Sequence, residues 1–277
     1  MMSFRIRRVL TIVFVVSICL AQGYAATAPS PGKNGSAAAV EIKPTDFGGA
    51  DLCLRDTAGP ENECSRRYGQ VRSPGGEPER PCLLAPAALE ALKNARVILK
   101  KENPDLEIIV ISSYRPPEHQ QCLWVEKTSA GYKCNPYVCG ARDPATGAHL
   151  PCRHYDLDDP RFEHIFDRCP HVNQYTVDAC AYNRSLVKLN DRNQLDLTQL
   201  ADCRKRATSG GENKPFHPCC CRFADWTSDI RNASPRARAL FGDQAVGAQR
   251  SMIRAFKKSG WADNAPGEWW HFKYVGK

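Results

Sequence analysis

Leu106-Glu-Ile-Ile-Val-Ile-Ser-Ser-Tyr-Arg-Pro-Pro117 runs from an apolar strand straight into a rigid exit. Ile108, Ile109, Val110 and Ile111 are apolar on both faces, which predicts a buried, central strand over Leu106–Ser112. The prolines that follow Arg115 restrict the backbone there. The guanidinium is then set at the end of a buried strand, where it can point into a cleft; a solvated surface Arg is the plainer alternative. Upstream, Pro86–Glu102 reads as a helix, with Pro at its start, Leu89, Leu92 and Leu99 at helical spacing, and Asn103-Pro104 as its stop.

Downstream, Pro117–Glu126 predicts a short second helix. Residues 127–170 are irregular and rich in Cys, Pro, Gly and Asp, and a loop of that length in a compact domain is ordinarily functional or stapled. Strand character returns over Val172–Cys180. Residues 183–222 form a second Cys-rich polar insertion that ends in Cys219-Cys220-Cys221. Gln244–Ser259 predicts an amphipathic helix stopped at Gly260, and Trp269–Val275 a last strand. The fold class expected is α+β: a small, mostly antiparallel sheet of Leu106–Ser112, Val172–Cys180 and Trp269–Val275, with the two longer helices packed on it and two disulfide-stapled insertions.

The N-terminus reads as a signal peptide over residues 1–25. Arg5, Arg7 and Arg8 precede the apolar run Val9–Leu20, and Gly23-Tyr24-Ala25 offers small residues for cleavage. The run is shorter than the roughly 20 apolar residues a membrane span needs, although an uncleaved anchor is the alternative. Ile18 before Cys19 argues against lipidation. The segment carries three Arg and no acid, so its removal takes the formal net charge from +8 to +5. That mild excess suits an anionic wall or membrane surface. With no dense basic run and no binding motif, no nucleic-acid partner is expected. Residues 26–46 read as a flexible leader, and one domain is expected over residues 47–277. Three Asn-x-Ser triplets, at Asn34, Asn183 and Asn232, bear on the fold only where the host glycosylates.

Of the 14 cysteines, 13 remain after Cys19 is removed. Together with an export signal, that number implies an oxidising compartment, secreted or periplasmic, and disulfides. The C-x₂₋₄-C pairs of a structural zinc site are not matched by Cys134 and Cys139, nor by the contiguous triplet. An odd count leaves a free thiol or a bond to another chain.

Glu268-Trp-Trp-His271 sets a carboxylate and an imidazole three residues apart, near the end of the chain. A zinc hydrolase needs a metal ligand and a nearby base that takes a proton from water, and His271 and Glu268 could fill those parts. In a regular strand the two would face opposite ways, so Glu268 must sit at the turn where the strand begins. His171 and Asp178, seven apart across a predicted turn and strand, are competent zinc ligands. His149 and Asp156 share that spacing, but His154 and Pro151 make that segment a poorer strand. His119, His164 and His217 read as structural or exposed.

Four segments resemble, in order, the zinc D-Ala-D-Ala dipeptidases and carboxypeptidases of the VanX/VanY type, which have the hedgehog/DD-peptidase fold. Cys82-Leu-Leu, before the helix with Leu89-Glu-Ala-Leu92, is similar to the family's helix entry. Ser113-Tyr-Arg-Pro116 is similar to its substrate-binding Arg segment. Cys169-Pro-His-Val-Asn-Gln-Tyr-Thr-Val-Asp178 is similar to S-x-H-x-x-G-x-A-x-D, and Glu268-Trp-Trp-His271 to the E-W-W-H ending. The resemblance implies that His171, Asp178 and His271 bind Zn2+ and that Glu268 is the general base. It also implies that Arg115, across the cleft, stabilises the scissile carbonyl oxygen. Cys169, Gln174 and Thr176 depart from the pattern's Ser, Gly and Ala, and Gln for Gly costs backbone freedom at that turn. The partners implied are a peptidoglycan stem peptide or the dipeptide D-Ala-D-Ala. A disulfide-rich binding module without turnover on the same fold, and an unrelated Cys-rich structural protein, are the competing expectations.

Overall fold

The computed structural model describes residues 38–49, 82–136, 138–183, 227–263 and 267–276, together with Cys53, Cys64 and Ala265. The segment read as a signal peptide, most of the leader, nearly all of the second insertion and the cysteine triplet lie outside the described residues. The chain is mixed α+β with small antiparallel sheets. Among the described residues, no helix is long and apolar enough to cross a membrane.

In chain order, β1 (Val40–Glu41) pairs antiparallel with β2 (Leu83–Leu84), and a 3-10 turn spans Pro44–Phe47. Residues 40–46, inside the segment read as leader, thus already belong to the fold, and Ile42 and Phe47 are buried in its core. Helix α1 (Pro86–Glu102) starts on its proline and buries Ala88, Leu89, Ala91, Leu92, Ala95 and Leu99 along one face. Strand β3 (Leu106–Ser112) follows; it leads to α2 (Pro117–Trp124) and the hairpin β4 (Val125–Thr128) and β5 (Gly131–Cys134). After a long irregular segment comes β6 (Thr176–Asn183). Helices α3 (Thr227–Asn232), α4 (Pro235–Phe241) and α5 (Asp243–Lys258) then lead to β7 (Trp261–Asp263) and β8 (His271–Tyr274).

The main sheet has the order β3-β6-β8-β7, with antiparallel pairing throughout. The expected strands are all in it, but β3 is an edge strand and not a central one. Its apolar character on both faces has another cause: Cys53 forms a parallel bridge with Val110 and so covers the edge, while α1 and α5 pack with the sheet. Val177, Ala179, Phe256, Trp269 and Phe272 lie in the shared core.

Two buried polar groups hold this layer in register. Glu107, in β3, is fully buried and takes both guanidinium donors of Arg96, from Nε at 2.8 Å and Nη2 at 2.9 Å. A bidentate, charge-assisted pair is what makes a buried carboxylate tolerable. Beyond Asp178, β6 outruns its partner β8. There the buried side-chain amide of Gln249, on α5, accepts from the Ala181 N–H at 2.8 Å and donates to the Ala181 carbonyl. The amide stands in for a missing strand.

The irregular segment has its own small core of Trp124, Val125, Ala141, Tyr155, Ile165, Phe166, Cys169 and Val172. Disulfides Cys134–Cys152 and Cys139–Cys169 staple it, Cys64–Cys122 ties to α2, and Cys53–Cys82 clamps β2 beside β3. The strand read over Val172–Cys180 begins only at Thr176, because Gln174 adopts a left-handed φ of 64°. That conformation ends the extended run and is uncommon for a residue with a Cβ.

Replacing Gln249 with Leu leaves the Ala181 donor and acceptor buried without the amide. A loss of about 2–4 kcal/mol in urea unfolding is expected. A neutral result would mean that the amide is dispensable to β6.

Candidate metal centre

Antiparallel register lines up the first residues. Ser112 on β3 lies opposite Asp178 on β6, and Asp178 lies opposite His271 on β8. Because side chains alternate, a one-residue slip would exchange Asp178 for the core residue Val177. A register shift between Val110 and Ser112 marks the end of β3, a device that re-aims the side chains beyond it.

His171 arrives from the turn before β6. Its Nδ1 donates to the Ser113 carbonyl at 2.8 Å, and its own carbonyl accepts from the Arg115 N–H at 3.1 Å. With the ring proton on Nδ1, the Nε2 lone pair faces Asp178 Oδ1 at 3.5 Å. The His271 ring stands 5.0 Å from that of His171, centroid to centroid. Its Nδ1 is buried and makes no hydrogen bond; Glu268 Oε2 stands 3.8 Å away. Among the described residues, His171, Asp178 and His271 form a buried group that could hold a metal ion, with one ligand atom from each within 4.8 Å of the others.

The donors fit a metal. Bonds of 2.0–2.2 Å in a tetrahedral site put ligand atoms about 3.4 Å apart, so the His171–Asp178 pair is already close and the widest pair has to close by roughly an ångström. Two imidazoles and a carboxylate suit zinc, and the same set also suits ferrous iron. The electrostatics agree. Burial pushes the His171 pKa down from 6.5, and the Arg115 charge adds to this against the pull of Asp178. Burial also lowers His271. For Asp178, burial works upward, but His171, His271 and Arg115 outweigh it and hold the carboxyl well below the usual carboxylate range. Near neutrality the group is therefore two neutral imidazoles and a carboxylate, the protonation state a divalent cation requires.

Arg115 stands beside Asp178. Its Nε and Nη2 donate to Ser112 Oγ at 3.2 and 3.1 Å, and Nη2 approaches Asp178 Oδ2 at 3.6 Å. The hydroxyl and the carboxylate draw the guanidinium to the Asp178 side. Glu268 meets the geometric condition set by the sequence: it sits in the turn before β8, with its N–H on the Ala265 carbonyl at 2.9 Å. The buried, edge-to-face pair Trp269 and Trp270 anchors that turn. The Glu268 side chain stays 41% exposed, and Arg231 Nη2 donates to its carbonyl at 3.4 Å.

The rival pair is elsewhere: His149 and Asp156 are exposed and outside the cluster. His119 is buried on α2, His164 is exposed beside Asp167, and His217 lies outside the described residues. The sequence reading missed Ser112, Ser113 and Arg231 as supports. The Ser doublet was visible, but its partners Leu83 and His171 are remote in sequence. No protein-family model and no curated protein sequence matches the chain.

After loading with Zn2+ and desalting, His171→Ala and His271→Ala should retain well under one equivalent of metal, and His149→Ala a full one. If His149→Ala empties the protein while His171→Ala does not, the ligand assignment fails. The metal-free domain should also lose stability as pH falls from 7 to 5. The unfolded chain takes up protons near 6.5, whereas the two buried imidazoles resist them. Urea midpoints at both pH values check this, and His171→Asn/His271→Asn should show a smaller loss.

Proposed function

We propose that the chain is a secreted zinc metallopeptidase of the VanX/VanY type, hydrolysing bonds next to D-alanine in cell-wall stem peptides or in D-Ala-D-Ala. The observation that carries this reading is the approach of Glu268, at 3.8 Å, to a buried His171–Asp178–His271 group assembled from two distant segments. An antiparallel sheet with helices packed on it and the order of the four motifs agree with the hedgehog/DD-peptidase fold. Four disulfides between described residues agree with an oxidising, secreted or periplasmic setting.

His171, Asp178 and His271 would hold the ion, which when bound supplies a Lewis acid that polarises the scissile carbonyl and makes water acidic near neutral pH. The partly exposed Glu268 carboxylate takes the proton of the attacking water and passes it to the leaving amine nitrogen. Arg115 donates to the carbonyl oxygen as it gains negative charge. Asp178 and Ser112 keep the guanidinium within reach of the metal group until substrate draws it forward. A base and an oxyanion donor are parts of a hydrolytic site, and they favour zinc hydrolysis over iron oxygen chemistry at the same ligand set.

A second reading, a binding module that keeps the fold without turnover, is favoured by one observation. Gln174 is held at a φ of 64° where the family pattern has Gly, beside the ligand-bearing turn.

Release of D-alanine from D-Ala-D-Ala and from a longer peptide ending in it, with and without chelator, separates the two. Glu268→Ala should keep zinc and lose roughly 10²–10⁴-fold in turnover. Arg115→Ala should keep zinc and lose about 10²–10³-fold. A zinc-loaded wild type that cleaves neither peptide supports the binding module.

A further inference from the structure

The His171 ring is aimed by a peptide group and not by a side chain. The Ser113–Tyr114 peptide accepts from His171 Nδ1 at its carbonyl, at 2.8 Å. On its other side, the Tyr114 N–H donates to the Leu83 carbonyl at 3.1 Å. Hydrogen bonds in such a chain polarise one another, so the imidazole is both oriented and made more basic at Nε2. Leu83 uses its second backbone group on the same segment: its N–H donates to Ser113 Oγ at 3.2 Å. Ser113 is fully buried, so water does not replace these contacts.

Leu83 is in turn tied down by its neighbour. Cys82 is bridged to Cys53, and Cys53 forms a parallel bridge with Val110 on β3. The Cys82 carbonyl also accepts from the Ile42 N–H at 2.8 Å. One covalent link thus fixes β2 against the strand whose exit carries Ser113.

We propose that Ser113, held through Leu83 by the Cys53–Cys82 disulfide, is a positioning residue for His171, and that metal affinity depends on this disulfide. The inference rests on the metal centre and not on the peptidase reading. It assigns a role to a bridge outside the candidate ligand set: a chain lacking it keeps all three of those residues but holds His171 less firmly in its tautomer and ring angle.

The test uses the full mature chain and Zn2+, with affinity read by competition against a chromophoric chelator. Ser113→Ala and Cys53→Ala/Cys82→Ala keep the Ser113 carbonyl but loosen its placement, so each should bind zinc about 10-fold more weakly, the low end of the range for an outer partner of a metal-binding imidazole. Ser113→Thr, which restores a hydroxyl, should recover most of the affinity. Cys134→Ala/Cys152→Ala, which opens a bridge in the irregular segment, should stay within a few-fold of wild type. A second readout needs no metal: long-range 1H–15N NMR of the metal-free protein. It should show His171 protonated at Nδ1 in wild type and a larger Nε2-protonated fraction in Ser113→Ala, where the carbonyl is less firmly placed. The inference is overturned if Ser113→Ala binds zinc like wild type, if both double variants lose affinity equally, or if wild-type His171 carries its proton on Nε2. Should Cys53→Ala/Cys82→Ala fail to fold, Ser113→Ala and Ser113→Thr decide with every bridge intact.

Discussion

Antiparallel register across β3, β6 and β8 is the constraint on which the candidate centre depends. It puts Ser112, Asp178 and His271 in one row, and two of the three ligands need no loop to bring them together. The row holds because β6 and its neighbour β3 are each pinned to a helix. On one side Glu107 and Arg96 tie β3 to α1. On the other, where β8 runs out, Gln249 completes the backbone bonding of Ala181. Both are buried polar groups with remote partners, so they reward one register and penalise a slip.

The third ligand is held differently. His171 sits in a turn, and its orientation comes from reciprocal bonds with the segment leaving β3: its ring to the Ser113 carbonyl, its carbonyl to the Arg115 N–H. The strand exit that carries Arg115 therefore also aims a ligand. The site couples its parts tightly for this reason. A change at residues 113–115 acts on the ligand and on the guanidinium together, so metal content and turnover have to be read separately for any variant there.

Much of this was legible because it was local. Helix α1 follows from Pro86 and a leucine stripe, β3 from a run of β-branched residues, and the Glu268 turn from alternation alone. The three residues of the candidate metal group were legible through motif order and spacing. What was not legible depends on contacts far apart in sequence. The edge position of β3 was hidden because the residue covering it, Cys53, lies more than fifty positions upstream. Strand β6 was read as starting four residues too early, because Tyr175 and Val172 have strand character while the break comes from the backbone of Gln174, and as ending three residues too soon. The β4–β5 hairpin is polar and mostly exposed, so it carries no alternation to detect. That most of the cysteines pair could be expected, but not which pairs with which.

The contrast in burial within the site bears on what kind of metal centre it is. His171, Asp178 and His271 are buried, and their environment holds the imidazoles neutral and the carboxylate ionised. Glu268 and Arg115 sit beside them but keep part of their side chains in solvent. A structural ion is enclosed by four protein ligands, whereas a catalytic one keeps a position for water or substrate. Three buried donors with a carboxylate and a guanidinium beside them are what the proposed hydrolytic reading expects of the second kind. Arg115 is drawn toward Asp178, so under the proposed role it would exchange one anionic partner for another. The bond to Ser112 is neutral and the approach to Asp178 is 3.6 Å, beyond the range of a strong charge-assisted hydrogen bond. Under the proposed role, that looseness would let a partly exposed guanidinium turn to a developing oxyanion, which would offer it a shorter, charge-assisted bond.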